Sequence, residues 1–115
     1  MRVIEKRMID AIISKKSFKS GNTEVLYIGY NQFWVYLFGN CIAQGNLNPP
    51  AGKKFAWIRL SDCGWRTSTT KSRLNALCDH FGFDRIHQHN HVWYHGDELW
   101  HTSTVLTLKE IVVNG

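Results

Sequence analysis

Residues 32–44, QFWVYLFGNCIAQ, set Gly39-Asn40 between two runs rich in aromatic and aliphatic residues. Glycine and asparagine enter left-handed backbone conformations at little cost, and a two-residue hairpin turn demands that conformation. The segment therefore predicts a hairpin with strands over Gln32–Phe38 and Cys41–Gln44. Alternation along the first strand puts Trp34, Tyr36 and Phe38 on one face, and Phe33, Val35 and Leu37 on the other. One face must join the core; the second is then open or covered by a helix.

The remaining elements arrange themselves around that hairpin. Over residues 3–15, Ile4, Met8 and Ile12 recur at helical spacing, with Ile9 and Ile13 beside them and Glu5, Lys6, Arg7 and Asp10 opposed. Lys15 and Lys16 then fall in the last turn, where cations suit the helix dipole. Ser20-Gly21-Asn22 and Gly29-Tyr30-Asn31 read as turns around a strand over Glu24–Ile28. Gly45–Lys54 reads as an exposed Pro/Gly loop, Phe55–Leu60 as a strand and Ser61–Gly64 as a turn. Within Trp65–Gly82, Thr69 or Thr70 N-caps a helix with Leu74, Leu77, Cys78 and Phe81 on its apolar side and Gly82 closing it. Arg85–Tyr94 is β-structure, His95–Glu98 a turn, and Val105–Val113 a last strand or a short helix. The order α-β-β-β-β-α-β-β predicts an α+β fold, an antiparallel sheet with two packed helices, as a single domain over residues 1–115.

Three features bound the function. No apolar run reaches the roughly 18 residues needed to cross a bilayer, and Glu5, Lys6, Arg7 and Asp10 break up the N-terminus where a signal peptide would be apolar. The expectation is a soluble, intracellular protein with no membrane partner. Cys41, Cys63 and Cys78 are widely spaced and form no C-x-x-C, so neither a disulfide framework nor a zinc ribbon is expected. The formal net charge of +5 favours a polyanionic partner such as nucleic acid.

The chain also resembles a family of small, uncharacterised proteins of tailed bacteriophages. The resemblance is carried by DAIISKKSFKSGNTEV, VYLFGNCIA and GWRTSTTKSRLNAL, in that order, and covers most of residues 5–94. It implies a phage origin, hence the host cytoplasm, and a compact α+β fold with Val92-Trp93-Tyr94 as a terminal strand. It implies no activity, and the density of histidines is not part of the family pattern.

Two segments carry candidate chemistry. In RIHQHNHVWYHGDELWH, residues 85–101, His87, His89 and His91 would share a face of a continuous strand, with neighbours roughly 6.8 Å apart. Two imidazoles with Asp97, Asp79 or Cys78 would then suit tetrahedral zinc. Asn90 favours a different outcome: a turn at His89-Asn90-His91 splits the run into strands over Arg85–Gln88 and Val92–Tyr94 and disperses the imidazoles.

The second segment is the start of the second helix. A helix N-terminus offers free N–H groups and a positive dipole end to phosphate. Arg66, Lys71 and Arg73, with Lys53 and Lys54 on the preceding loop, would add charge, and Thr67, Ser68, Thr69 and Thr70 would add hydroxyls. The competing reading is purely structural: the hydroxyls cap the helix while Arg73 and Asn75 brace a turn. The strand aromatics Trp34, Tyr36, Trp57, Trp93, Tyr94 and Trp100 would stack bases if exposed and fill the core if not. No P-loop, nucleophile–base pair or paired carboxylate stands out, so neither enzyme activity nor a cofactor is expected. The reading is a phage accessory protein that binds nucleic acid through the basic helix N-terminus, or alternatively one that binds and inhibits a host or bacterial defence protein, or one that binds metal through His87, His89 and His91.

Overall fold

The computed structural model describes residues 1–47 and 56–108. Lys53, Lys54, Phe55 and the end of the Val105–Val113 segment lie outside the described residues. Helix α1 spans Val3–Ser14 and buries Met8, Ile9, Ala11 and Ile12, while Ile13 is exposed. Glu5 departs from the expected polar face and is buried. Its carboxylate accepts the backbone N–H of Arg2 at 3.3 Å, closing the first turn. Lys15 takes the left-handed conformation just past the helix, so Lys15 and Lys16 follow the last turn instead of occupying it.

Six strands form one antiparallel sheet: β1 Phe18–Ser20, β2 Thr23–Gly29, β3 Gln32–Leu37, β4 Asn40–Asn46, β5 Ala56–Ser61 and β9 Ser103–Leu108, in the order β1-β2-β3-β4-β5-β9. The β3–β4 hairpin forms as expected, with its turn one residue earlier than the Gly39-Asn40 pair suggests. Leu37 pairs with Asn40, leaving Phe38 and Gly39 as the loop with φ of 50° and 79°. A register shift between Val35 and Tyr36 accompanies this, so that Val35 faces Ala43 while Tyr36 faces Cys41. Phe38 holds a conformation that costs a non-glycine residue about 1–2 kcal/mol. Gly45, expected in a loop, lies in β4, where a Cβ would stand 2.6 Å from the Trp57 carbonyl oxygen. Only glycine lets the two strands approach so closely.

Helix α2 runs Ser68–Phe81 and begins two residues earlier than a Thr69 cap implies. Thr67 is the N-cap, its Oγ1 accepting the Thr70 N–H at 3.1 Å, and Gly82 closes the helix in the left-handed conformation. Leu74, Leu77 and Cys78 meet Met8 and Ile12 of α1 and Val25, Phe33, Val35, Leu37, Ile42, Ile58 and Leu60 of the sheet in one core. A second antiparallel sheet follows, of β6 Ile86–His89, β7 Val92–His95 and β8 Glu98–Leu99. It is fastened to α2 by Asn75, whose side chain donates to the Ile86 carbonyl at 2.8 Å and accepts the Ile86 N–H at 2.7 Å. The result is an α+β fold with both helices on one side of the large sheet. Strands β1 and β8 are too short for the sequence pattern to reveal, and residues 103–108 are strand, not helix.

Candidate functional site

The start of α2 is built around Asp62, which is fully buried at the end of β5. Its Oδ1 accepts the Gly64 N–H at 2.7 Å; its Oδ2 accepts Trp100 Nε1–H at 2.7 Å and Arg66 Nε–H at 3.1 Å. Arg66 also donates to the Trp100 carbonyl at 3.4 Å. The Arg66 guanidinium lies 5.9 Å from the centre of the Trp93 ring and Lys71 Nζ 5.7 Å from it, within cation–π range. Lys71 also donates to Gln88 Oε1 at 3.3 Å.

Arg73 points away from this surface. It is buried, donating to Glu5 Oε2 at 2.8 Å, Thr23 Oγ1 at 3.1 Å and Asn22 Oδ1 at 3.4 Å, while Ser72 Oγ donates to the same Glu5 oxygen at 2.5 Å. Thr70 is buried as well, and the hydroxyls of Thr67 and Thr70 lie 3.0 Å apart. Of the expected phosphate-binding set, Arg66, Ser68, Thr69 and Lys71 remain at the surface, Thr67 caps the helix, and Arg73 and Thr70 are structural. Asn75 also braces the structure, through Ile86. The surface patch is therefore weaker than its composition suggests.

The histidines do not converge. Asn90 and His91 form the two-residue turn between β6 and β7, with φ of 49° and 65°. His89 pairs with Val92 and His87 with Tyr94, against whose ring it stacks at 5.5 Å between centroids. The turn thus falls at Asn90, as its side chain favours, and it removes His91 from the face that His87 and His89 share as strand residues. Among the described residues no group of three or more His, Cys, Asp or Glu is arranged to hold a metal ion. That arrangement gives the alternative zinc set of His87, His89 and His91 no geometric support.

The large sheet offers a different surface. Residues of both helices share one core with Val25, Val35 and Ile58, while Trp34, Trp57 and Val105 are exposed. Cross-strand pairing lines up Leu26, Trp34, Gln44, Arg59 and Val105 in one row over β2, β3, β4, β5 and β9. Trp34 is 40% exposed, with its ring edge-to-face against Tyr36 at 6.3 Å. Trp57 and Arg59 alternate with buried Ala56, Ile58 and Leu60, so both project outward. Of the aromatic set, Trp93 and Trp100 are core residues, whereas Trp34 and Trp57 are exposed. Arg59 is absent from the sequence-derived site, although the alternation of AWIRL carried the signal.

A separate cavity of about 400 Å³ lies at the end of the core, between the β3–β4 turn and the start of α2. Leu37 and Ile42 are among its apolar lining residues, Asn40, Thr67 and Thr70 among its polar ones. Phe38 and Trp65 also line it, 70% and 61% exposed.

The family model described as Kyanoviridae Gp96 protein matches residues 1–109. The chain belongs to this phage protein family. Membership carries the phage origin implied by the GNTEV, VYLFGNCIA and GWRTSTTKSRLNAL segments and assigns no activity. No curated protein and no solved structure matches the chain. No described helix of this family member is long and apolar enough to cross a membrane.

Proposed function

We propose that this phage protein works in the host cytoplasm as a binding protein, not an enzyme, and that it binds single-stranded nucleic acid on the open face of the six-stranded sheet. The observation that carries this reading is the exposed Trp34 and Arg59 in one cross-strand row, with half-buried Tyr36 and exposed Trp57 beside it. Aromatic faces stack on any base, at about 1–3 kcal/mol per base, and a neighbouring guanidinium attracts the phosphates. The glutamine amides of Gln32 and Gln44 on the same face suit base edges. A net charge of +5 favours approach of a polyanion. Arg66 and Lys71 add charge elsewhere on the surface, but Arg66 is already paired with Asp62 and contributes less.

Titrating the protein with a single-stranded oligonucleotide at low salt tests this. Binding should quench tryptophan emission and weaken as salt rises, since phosphate contacts release counterions. Trp34→Ala should weaken binding about 5- to 150-fold, the equivalent of one stacked base. Unchanged binding in both Trp34→Ala and Arg59→Glu would remove the sheet face from the account.

A second reading, a protein that engages a host or defence protein, draws on the cavity edged by Phe38 and Trp65. Exposed aromatics at an apolar cavity suit an anchoring side chain from a partner. On this reading, replacing both residues with alanine abolishes capture of a host protein and leaves oligonucleotide binding intact. Capture that survives the double substitution contradicts it.

A further inference from the structure

Two of the three cysteines line one pocket at the edge where β4 begins and β5 ends. Cys41 lies near the start of β4 and Cys63 just after the end of β5. The β4–β5 register pairs Ala43 with Leu60, and Cys41 lies beyond the β4 irregularity at Ile42, beside the end of β5. Cys63 Sγ lies 2.8 Å from the Cys41 carbonyl oxygen, and Ser61 Oγ lies 3.7 Å from the same sulfur. Both cysteines are partly exposed and line one surface pocket of about 240 Å³, together with Ser61 and Arg59. Cys63 itself sits in the left-handed region, with φ of 52°.

We propose that Cys41 and Cys63 form an oxidation site, converted to an intramolecular disulfide by an oxidant of the hydroperoxide class. The Cys63 thiolate attacks the hydroperoxide's terminal oxygen, breaking the O–O bond and becoming a sulfenic acid, and the hydroxide or alkoxide released takes up the proton lost from the Cys63 thiol to leave as water or alcohol. The Cys41 sulfur then attacks the sulfenyl sulfur, forming the S–S bond and expelling hydroxide, which takes up the Cys41 proton as water. Two electrons pass from the two thiols to the peroxide. Burial, and then the charge of Cys63, raise the Cys41 thiol above its ordinary value, which suits Cys41 to the resolving step. Cys78 is fully buried and takes no part.

The test uses the full reduced chain treated with hydrogen peroxide, followed by thiol counting after denaturation and a non-reducing peptide map. The expected result is a fall from three free thiols to one, with a single Cys41–Cys63 linkage that dithiothreitol reverses. In Cys41→Ser, Cys63 should instead accumulate as a sulfenic acid that dimedone traps. In Cys63→Ser, two thiols should persist through the same treatment. Three thiols remaining in the wild type, oxidation of Cys63 to sulfinic acid with Cys41 still free, or a linkage through Cys78 would each overturn the proposal.

Discussion

Arg73 Nη1 stands 2.8 Å from Glu5 Oε2, with both side chains only 4% exposed. This contact joins the two helices at a point where Thr23 of β2 and Asn22 of the turn before it also contribute. It turns a cation that reads as a phosphate ligand into a fastening of the fold. Removing one member leaves the other charged, buried and unpaired.

Arg73→Met should therefore destabilise the protein by about 3–5 kcal/mol. Urea unfolding measures this. The double substitution Glu5→Gln with Arg73→Met should recover part of the loss, because it leaves no uncompensated carboxylate. A cost under about 1 kcal/mol for the single change, typical of a surface pair, would mean that the contact is solvated.

The histidine hairpin yields a second expectation. His91 holds a left-handed conformation that costs a non-glycine residue about 1–2 kcal/mol, while glycine gives back about 0.5–1 kcal/mol of chain entropy. His91→Gly should thus raise stability by about half a kcal/mol, read as a small rise in Tm. Zinc added to untagged protein should leave Tm unchanged, since the turn takes His91 off the face that His87 and His89 share. A clear rise in Tm with zinc would show that the imidazoles do converge.

Cys78 gives the pH dependence. Burial is the main cause pushing its thiol from 9.0 up to about 12, so the folded state holds this proton more tightly than the unfolded chain. Its contribution to stability is fully present below pH 9 and is lost as pH rises toward about 12. Urea unfolding across that range should show wild-type stability falling more steeply than that of Cys78→Ala, compared as the change with pH. Parallel declines would mean that the Cys78 thiol titrates normally in the fold.

Much of this architecture is legible in residue periodicity. Phe33, Val35 and Leu37 are buried while Trp34 is exposed, as strand alternation requires. What escapes are choices made by tertiary contacts. Helical spacing places Glu5 among polar residues, and only the proximity of Arg73 and Ser72 makes its burial favourable. The β3–β4 turn moves to Phe38-Gly39 because a register shift beside Tyr36 absorbs a residue, and no local preference of Phe38 announces that. Thr67 caps α2 in place of Thr69 or Thr70, since a run of hydroxyl residues offers several equivalent starts. The weakness of the helix-start patch is likewise invisible until Asp62 and Glu5 are seen taking up Arg66 and Arg73. Arg59 was legible, for it alternates with Trp57 on one face of β5.

On the proposed function, the open sheet face binds single-stranded nucleic acid through Trp34 and Arg59. The most direct test is a tryptophan-fluorescence titration of the full chain with a single-stranded oligonucleotide at low salt, comparing wild type with Trp34→Ala and Arg59→Glu. The expected result is saturable quenching in the wild type, reversed by salt and weakened in both variants. A wild-type protein whose emission and oligonucleotide mobility do not change even at low salt would contradict it.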